Sequence, residues 1–349
     1  MKVTNRSFIG KEVFVGIDVH KRTYAVVATC EGEPVLRLGS IPAEPAVLVR
    51  LVGERFGGAR VCSAYEAGFS GFVLHRRLVA AGIHNIVVNP SSIPVASRDR
   101  VKTDRRDALK LSVLLSRGLL KGIRVPSEQE ELGRLLSRTR EQLVRDKTRA
   151  ALRLKSKLLQ FGYLAAELDR ETSLSWVTAV EQAALPEPLR ASLAPYIASY
   201  RFLHQEQRKL ERLLRQQAEG RPDQERLYRS VPGIGPVSAR VLANELGDIA
   251  RFRNQRALYS FTGLTPAEFS SGDHIRRGHI SRQGSARLRA TLVECAWRAI
   301  RHDKNLAQSY ERLKARRGGK RAIVAIARRL VGRVRACLLT QTQYRLAVA

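Results

Sequence analysis

The sequence predicts an α/β domain followed by two mostly helical domains. Between residues 11 and 122, short apolar runs of β-type composition alternate with turn signals and helical runs. From residue 127 onward, apolar side chains recur at helical spacing, and a polar, glycine-dotted stretch at 263–284 interrupts the pattern. We therefore expect three domains, at residues 1–125, 126–220 and 221–349.

Three strands are predicted first, at residues 12–19, 24–30 and 34–40. The first two runs are rich in valine and other residues that suit a pleated sheet, and short polar segments separate all three. Because consecutive strands joined by short turns pair antiparallel, we expect a meander.

A strand, a helix and a further strand follow, at residues 61–66, 71–81 and 83–88. An Asn-Pro pair ends the last strand, and a Ser/Pro-rich loop at 91–97 leads to a helix that begins near Asp104. Three strands followed by strand, helix, strand and helix is the order expected of an RNase H-like sheet.

Four acidic residues occupy notable positions in this layout. Asp18 ends the first apolar run, Glu66 ends the strand at 61–66, and Asp104 and Asp107 share one face of the last helix through their i, i+3 spacing. Carboxylates at strand ends and on one helix face provide the oxygen ligands that Mg2+ prefers, and Mn2+ is also possible. Such an ion assists in-line displacement at phosphorus.

The pair on the helix also has an ordinary interpretation. Asp104 and Asp107 could be solvated helix acids neutralised by Arg105 and Arg106. The presence of Asp18 and Glu66 at strand ends favours a metal site over this ordinary interpretation. His20, two residues after Asp18 in sequence, is interpreted as a residue with a local role.

Composition predicts a polyanionic partner. The formal net charge is +30 over 349 residues, which is far more than solubility requires, and nucleic acid is the leading candidate. A membrane surface is less favoured, because there is no apolar run of about 18 residues, no signal-peptide pattern and no isolated basic amphipathic terminus. The four cysteines lie far apart in the sequence and include no C-x-x-C pair, so neither a zinc knuckle nor a disulfide framework is indicated. We expect a cytoplasmic protein.

The middle segment predicts paired helices. Leucines at helical spacing in 127–164, surrounded by arginines, are followed by a second apolar stripe at 196–214. An antiparallel hairpin or coiled coil would serve as an oligomerisation arm or a spacer, whereas ordinary core helices of one domain are the alternative. The arginines could also contact a nucleic acid backbone.

A P-G-I-G turn opens the third segment. Its glycines, Gly233 and Gly235, lie between two short apolar helices, as in a helix-hairpin-helix that binds phosphate through backbone N–H groups. A tight turn that packs the core is the alternative.

The polar stretch at 263–284 contains the second group of candidate residues. Ser270 and Ser271 precede a glycine, and Arg276, Arg277, Arg282 and His279 follow. An accessible hydroxyl with nearby cations suits phosphoryl transfer. The arginines could clamp a phosphate or bind a nucleic acid backbone nonspecifically. The histidine could move a proton, although a lone loop histidine is more often a surface residue.

Five motifs, in order and over nearly the full length, resemble those of the DEDD insertion-sequence transposases, which are bridge-RNA-guided recombinases. They are G-I-D at Asp18, Y-E-A at Glu66, K-T-D-R-R-D-A at Asp104, S-V-P-G-I-G, and the block from G-L-T-P to S-S-G. The combination is specific, although each motif alone is not. The resemblance implies a RuvC-like N-terminal domain, a coiled-coil arm and a C-terminal transposase domain with a catalytic serine. It also implies recombination between a circular element and its target DNA, both selected by a structured RNA.

The resemblance also implies residue roles. Asp18, Glu66, Asp104 and Asp107 would be the catalytic, Mg2+-binding tetrad, and Ser271 would be the nucleophile, with Ser270 as the neighbouring alternative. The serine would form a phosphoserine link, and the tetrad would act on the same phosphate when the domains come together. Synapsis of donor and target DNA suggests a homodimer or homotetramer that is associated with the nucleoid when bound.

Two other functions remain open at this point. A RuvC-like junction nuclease would hydrolyse DNA with the acidic tetrad alone, without serine catalysis. A nonenzymatic scaffold would bind nucleic acid and use the acids structurally.

Overall fold

The computed structural model describes most of the chain, namely residues 7–94, 103–164, 171–269, 271, 274, 276–281 and 283–346. Its contacts divide the chain into two compact units, Met1–Pro126 and Ser127–Ala349. The first unit contains a five-stranded sheet and the second is largely helical, so the predicted mixed α/β class with a helical C-terminal region is confirmed.

The sheet of the first unit has the order β3-β2-β1-β4-β5. Its strands are β1 (Glu12–Val19), β2 (Thr23–Cys30), β3 (Glu33–Pro42), β4 (Arg60–Glu66) and β5 (His84–Val88). The first three pair antiparallel, as the meander prediction required, whereas β1, β4 and β5 run parallel. The parallel strands therefore end at the same edge of the sheet.

Three helices in the described part of this unit cover the sheet: α1 (Pro45–Arg55), α2 (Val73–Ala80) and α3 (Asp104–Ser116). The sequence pattern predicts α2 and α3 but no helix at α1, where a proline occupies the first turn. Leu48 of α1 and Leu78 of α2 belong to one core with the β1 valines and Ile17. Ala108 of α3 belongs to a separate cluster with Ala25 and Val27. The helices thus lie on opposite faces of the sheet. Part of the predicted loop, at residues 95–97, lies outside the described residues.

The second unit contains nine described helices and one β-hairpin. The helices are α4 (Glu128–Gln160), α5 (Leu174–Gln182), α6 (Glu187–Glu219), α7 (Pro222–Ser230), α8 (Pro236–Leu246), α9 (Gln255–Thr262), α10 (Ala286–His302), α11 (Lys304–Arg317) and α12 (Gly319–Thr340). Strands β6 (Pro266–Glu268) and β7 (Arg277–Ile280) form the hairpin within the predicted polar stretch. Among the described helices, none is long and apolar enough to cross a membrane.

The two longest helices, α4 and α6, pack against each other. A capping box of Ser127 and Glu130 starts α4, and each residue satisfies the backbone N–H of the other. Arg140 of α4 contacts the buried Glu211 of α6 at 2.7 Å. Towards the other end, Leu158 and other aliphatic residues form a core that includes Trp176 of α5. A role as an oligomerisation arm stays a prediction.

The leucine stripe predicts that leucines form the buried face of α4, and this prediction is wrong at the start of the helix. Leu132 is 65% exposed, whereas Gly133 and Ser137 are the residues buried there. A Cβ atom at Gly133 would lie 2.8 Å from the Gln217 side chain. Asn244 of α8 donates hydrogen bonds to the Gly133 carbonyl at 2.9 Å and to the Ser137 hydroxyl at 2.7 Å. Small residues are needed here because a polar network, rather than a leucine core, joins these helices.

Candidate active site

Two of the four candidate acids come together through sheet register. Strands β1 and β4 are parallel, with Ile17 opposite Tyr65, so the next positions, Asp18 and Glu66, lie at the same edge. Neighbouring residues in register point to the same face of a sheet. Asp18 is partly buried and Glu66 is exposed.

Helix α3 reaches this edge because β1 carries a glycine beneath it. A Cβ atom at Gly16 would lie 1.9 Å from the Ala108 carbonyl oxygen and 2.6 Å from the Ser112 backbone nitrogen. The Ser112 hydroxyl donates a hydrogen bond to the Phe14 carbonyl at 2.8 Å and lies 2.7 Å from the Thr29 hydroxyl. The helix backbone therefore rests directly on the strand.

This docking brings the first turn of α3 to the end of β1. Asp104 and Asp107 both lie in that first turn. Asp18 stands two positions beyond Gly16 and therefore on the face that α3 covers. The i, i+3 pair and the strand-end acid thus belong to one local cluster.

His20 lies between these acids, and the sequence interpretation of it as a local residue missed this contact. Its Nε2 atom is 3.2 Å from Asp18 Oδ2 and 3.2 Å from Asp104 Oδ2. Ligand atoms of the three side chains all lie within 4.8 Å of one another. Among the described residues, Asp107 and Glu66 do not belong to this closest group. The available signal was the i, i+2 spacing of Asp18, near the end of β1, and His20, the first residue after that strand.

The carboxylate charges around Asp18 favour the binding of a cation. Burial raises the pKa of the Asp18 carboxyl above its ordinary value, and the nearby His20 opposes that rise. The carboxylates of Asp107 and Asp104 raise the pKa further, because like charges disfavour ionisation. A bound divalent cation would relieve this repulsion, so the residues present fit a metal ion.

Ser271 lies at an exposed position beyond the strands of the hairpin. It forms an isolated antiparallel bridge with His274, whose backbone N–H donates to the Ser271 carbonyl at 3.3 Å. Below it, the Phe269 N–H donates to the Arg276 carbonyl at 2.8 Å. No sequence motif predicted a role for His274.

Glycines at the base of the hairpin allow its two ends to meet. Gly263 has φ +68°, and a Cβ atom there would lie 2.4 Å from the Gln283 carbonyl oxygen. Gly284 has φ +83°, and its Cβ atom would lie 2.4 Å from the Ser260 carbonyl oxygen. Only glycine adopts such angles without strain and permits backbones to come this close. The two ends of the hairpin are therefore in close backbone contact, and Ser271 lies beyond them at an exposed position.

The cationic candidates around the serine are described only in part. Arg276 and His279 are exposed. Ser270, Arg282 and the side chain of Arg277 lie outside the described part of the structure. Their predicted roles stay predictions.

The P-G-I-G turn has a packing explanation for one of its glycines. Gly233 has φ +82°, and a Cβ atom there would lie 2.2 Å from the Cys295 carbonyl oxygen and 2.7 Å from the Ala299 nitrogen of α10. Gly235 is the N-cap of α8 and has open space around it. Phosphate binding at either glycine stays a prediction.

An α/β unit with clustered carboxylates, in a strongly basic chain, is typical of a protein that processes nucleic acid. Comparison with protein families gives two matches. Residues 225–311 match the "Transposase IS116/IS110/IS902 family", and residues 15–162 match a DEDD transposase model of the IS110 type.

Individual relatives agree with the family matches. The chain is 32% identical over 300 residues to the putative transposase y4qE of Sinorhizobium fredii, an alignment covering 82% of this chain and 72% of the relative. It is 30% identical to a probable family 20 transposase of Pseudomonas aeruginosa, over 70% of this chain and 74% of that protein. It is 26% identical to the transposase for insertion sequence element IS1533 of Leptospira borgpetersenii, over 90% and 92%. The chain therefore belongs to the IS116/IS110/IS902 family of insertion-sequence transposases.

Proposed function

We propose that this transposase is a DNA recombinase that cuts and rejoins strands through a phosphoserine intermediate at Ser271, assisted by a cation-binding acidic centre. Donor and target DNA would be selected by a structured bridge RNA. The observation that carries the proposal is the cluster of Asp18, His20 and Asp104, built from segments far apart in sequence. An exposed serine on a hairpin with a fixed base provides the second component.

The acidic centre would hold the cation through Asp18, Glu66, Asp104 and Asp107, with Mg2+ or Mn2+ as the ion. When bound, such an ion stabilises charge on a phosphoryl oxygen. The partial burial of Asp18 and the repulsion among the carboxylates support this role. Metal-dependent chemistry is typical of the DEDD class to which residues 15–162 belong.

The serine step balances without an external energy source. The Ser271 Oγ–P bond forms while the P–O bond to one sugar oxygen breaks, the hydroxyl proton leaves Oγ, and the departing sugar oxygen takes up a proton. One phosphodiester replaces another, so rejoining reverses the same exchange on a new strand. Arg276, Arg277 and Arg282 are proposed to stabilise the phosphate charge.

Selection of the DNA by a bridge RNA agrees with the high net positive charge of the chain. A net charge of +30 supplies backbone affinity for nucleic acid without reading its sequence. Delegating sequence choice to base pairing leaves the protein to recognise shape and backbone. The proposal includes a dimer or tetramer assembled through the helical arm of residues 126–220, because recombination joins two duplexes.

The test is denaturing electrophoresis of labelled DNA after reaction. We expect a covalent protein–DNA adduct with the wild-type chain and with Ser270→Ala, and none with Ser271→Ala. Asp104→Ala should abolish recombination. An undiminished adduct in Ser271→Ala would overturn the assignment of the nucleophile. Omission of the guide RNA should remove site selection; retained site selection would contradict the guide.

A RuvC-like junction nuclease without serine catalysis is the second candidate. It is favoured by the observation that the acid and imidazole cluster is assembled within the first unit alone. This function predicts that Ser271→Ala leaves metal-dependent DNA cleavage intact, whereas Asp104→Ala abolishes it. The same pair of variants therefore separates the two functions.

A further inference from the structure

We propose that His20 is a direct ligand of the cation, through Nε2, and that it makes the centre select a first-row transition ion such as Mn2+ over Mg2+. This inference rests on the cation-binding role proposed above. It adds a nitrogen donor to a centre that the sequence described as four carboxylates.

The geometry of His20 supports coordination. Its Nε2 atom is equidistant, at 3.2 Å, from one carboxylate oxygen of Asp18 and one of Asp104. The atom is buried although the side chain as a whole is 43% exposed. The three donor atoms lie within 4.8 Å of one another, which is close enough for them to share one ion.

The backbone fixes His20 in this position. The His20 N–H donates to the Thr23 carbonyl at 2.9 Å, which closes the turn between β1 and β2. His20 is the first residue after β1, and its Nε2 atom lies 3.2 Å from Asp104 Oδ2 at the start of α3. The backbone of His20 is therefore positioned before an ion arrives, which reduces the reorganisation that binding needs.

The chemistry of the donors determines the selectivity. Mg2+ takes oxygen ligands in near-ideal octahedral geometry and keeps several waters, so an imidazole nitrogen in its shell is unfavourable. Imidazole suits first-row transition ions, and carboxylates suit Mn2+. A mixed nitrogen and oxygen set therefore favours Mn2+ relative to Mg2+.

The alternative is that the imidazole acts only as a cation that neutralises the acids. In that case an incoming metal would displace it, and no nitrogen would contact the ion. The two arrangements give different spectra of bound Mn2+, because electron spin-echo modulation detects a directly bound imidazole nitrogen.

The experiment uses the full chain loaded with Mn2+. We expect imidazole nitrogen modulation in the wild type, a change in the modulation when histidine is labelled with heavy nitrogen, and loss of the modulation in His20→Asn. Mn2+ affinity should fall about tenfold or more in His20→Asn. Mg2+ affinity should fall less, so the ratio of Mn2+ affinity to Mg2+ affinity should decrease. His84→Asn is the matched control, because His84 is an exposed histidine at the start of β5 in the same unit. It should retain both the signal and the affinities.

Isotope labelling leaves the protein unchanged, so the inference can be tested even where the variant folds poorly. Mn2+ that binds in an Asp18-dependent manner without nitrogen modulation would overturn the role of His20 and leave the cation site standing. Mn2+ binding that is unaffected by Asp18→Asn would instead contradict the proposed cation site itself.

Discussion

Gly16 shows how one residue connects the core of this protein to its site. Its missing side chain lets the α3 backbone touch β1, and that contact places the first turn of α3, with Asp104, beside Asp18. The carboxylates and His20 depend on this contact for their mutual distance. Gly16, which has no side chain and no direct role in the site, therefore determines where the side chains of Asp18 and Asp104 meet.

We predict that Gly16→Ala destabilises the first unit and weakens cation binding together. The new Cβ atom would meet backbone atoms of Ala108 and Ser112 that cannot move independently, at about 1–3 kcal/mol for overpacking of this kind. Urea unfolding and Mn2+ titration measure the two effects.

Gly53 provides the matched control. It lies on the exposed side of α1 with nothing within 4 Å of a Cβ atom, so Gly53→Ala should stabilise the chain by about 0.5–1 kcal/mol. Cation affinity should not change in that variant. Unchanged stability and affinity in Gly16→Ala would contradict the docking argument.

At the scale of elements, the β6–β7 hairpin carries Ser271 on a base closed by Gly263 and Gly284. Backbone hydrogen bonds from Ser281 to Thr265 at 3.0 Å and from Ser285 to Phe261 at 2.9 Å join its two ends. The serine can then project outward without the base losing its position.

We predict that Gly284→Ala removes the covalent DNA adduct although Ser271 is intact. The substitution combines a positive φ with backbone oxygens at 2.4 and 2.7 Å from the new Cβ atom, so the base of the hairpin must open. Gly278→Ala, in β7, is the control because its Cβ atom would make only ordinary contacts, the nearest at 3.6 Å. Equal adduct yields in the two variants would show that the base does not position the serine.

The element scale also shows which parts of the fold a sequence pattern can predict. The strands of the first unit have clear β-type composition between turn signals, so β1 to β5 were placed correctly. Helix α1 was missed because a short apolar run, VLVRLV in this case, does not distinguish helix from strand by periodicity. The leucine stripe of α4 misled at Leu132, because the buried residues there are the small ones that a polar network with Asn244 requires.

At the scale of the whole molecule, charge is the dominant property. A net charge of +30 over 349 residues exceeds what one small site needs, so contacts with nucleic acid backbone are expected to be numerous. Such contacts release counterions and depend on salt.

We predict steeply salt-dependent and largely sequence-independent binding of the protein alone to duplex DNA and to structured RNA. Affinity should fall by about a thousandfold or more between roughly 50 and 200 mM salt, as for proteins that contact several phosphates. Fluorescence anisotropy measures this slope. Asp18→Asn should leave the slope unchanged, and a shallow slope would contradict the assignment of the charge to backbone binding.

The strands, most helices, the acidic positions at strand ends and the candidate serine in its polar stretch could be predicted from the sequence. These follow from local composition and spacing, which act over a few residues. Three contacts could be seen only in the folded chain: His20 lies beside Asp18 and Asp104, Gly16 allows α3 to approach them, and Gly233 packs against α10. Such contacts join segments far apart in the chain, and close backbone approach between them leaves no periodic pattern in the sequence.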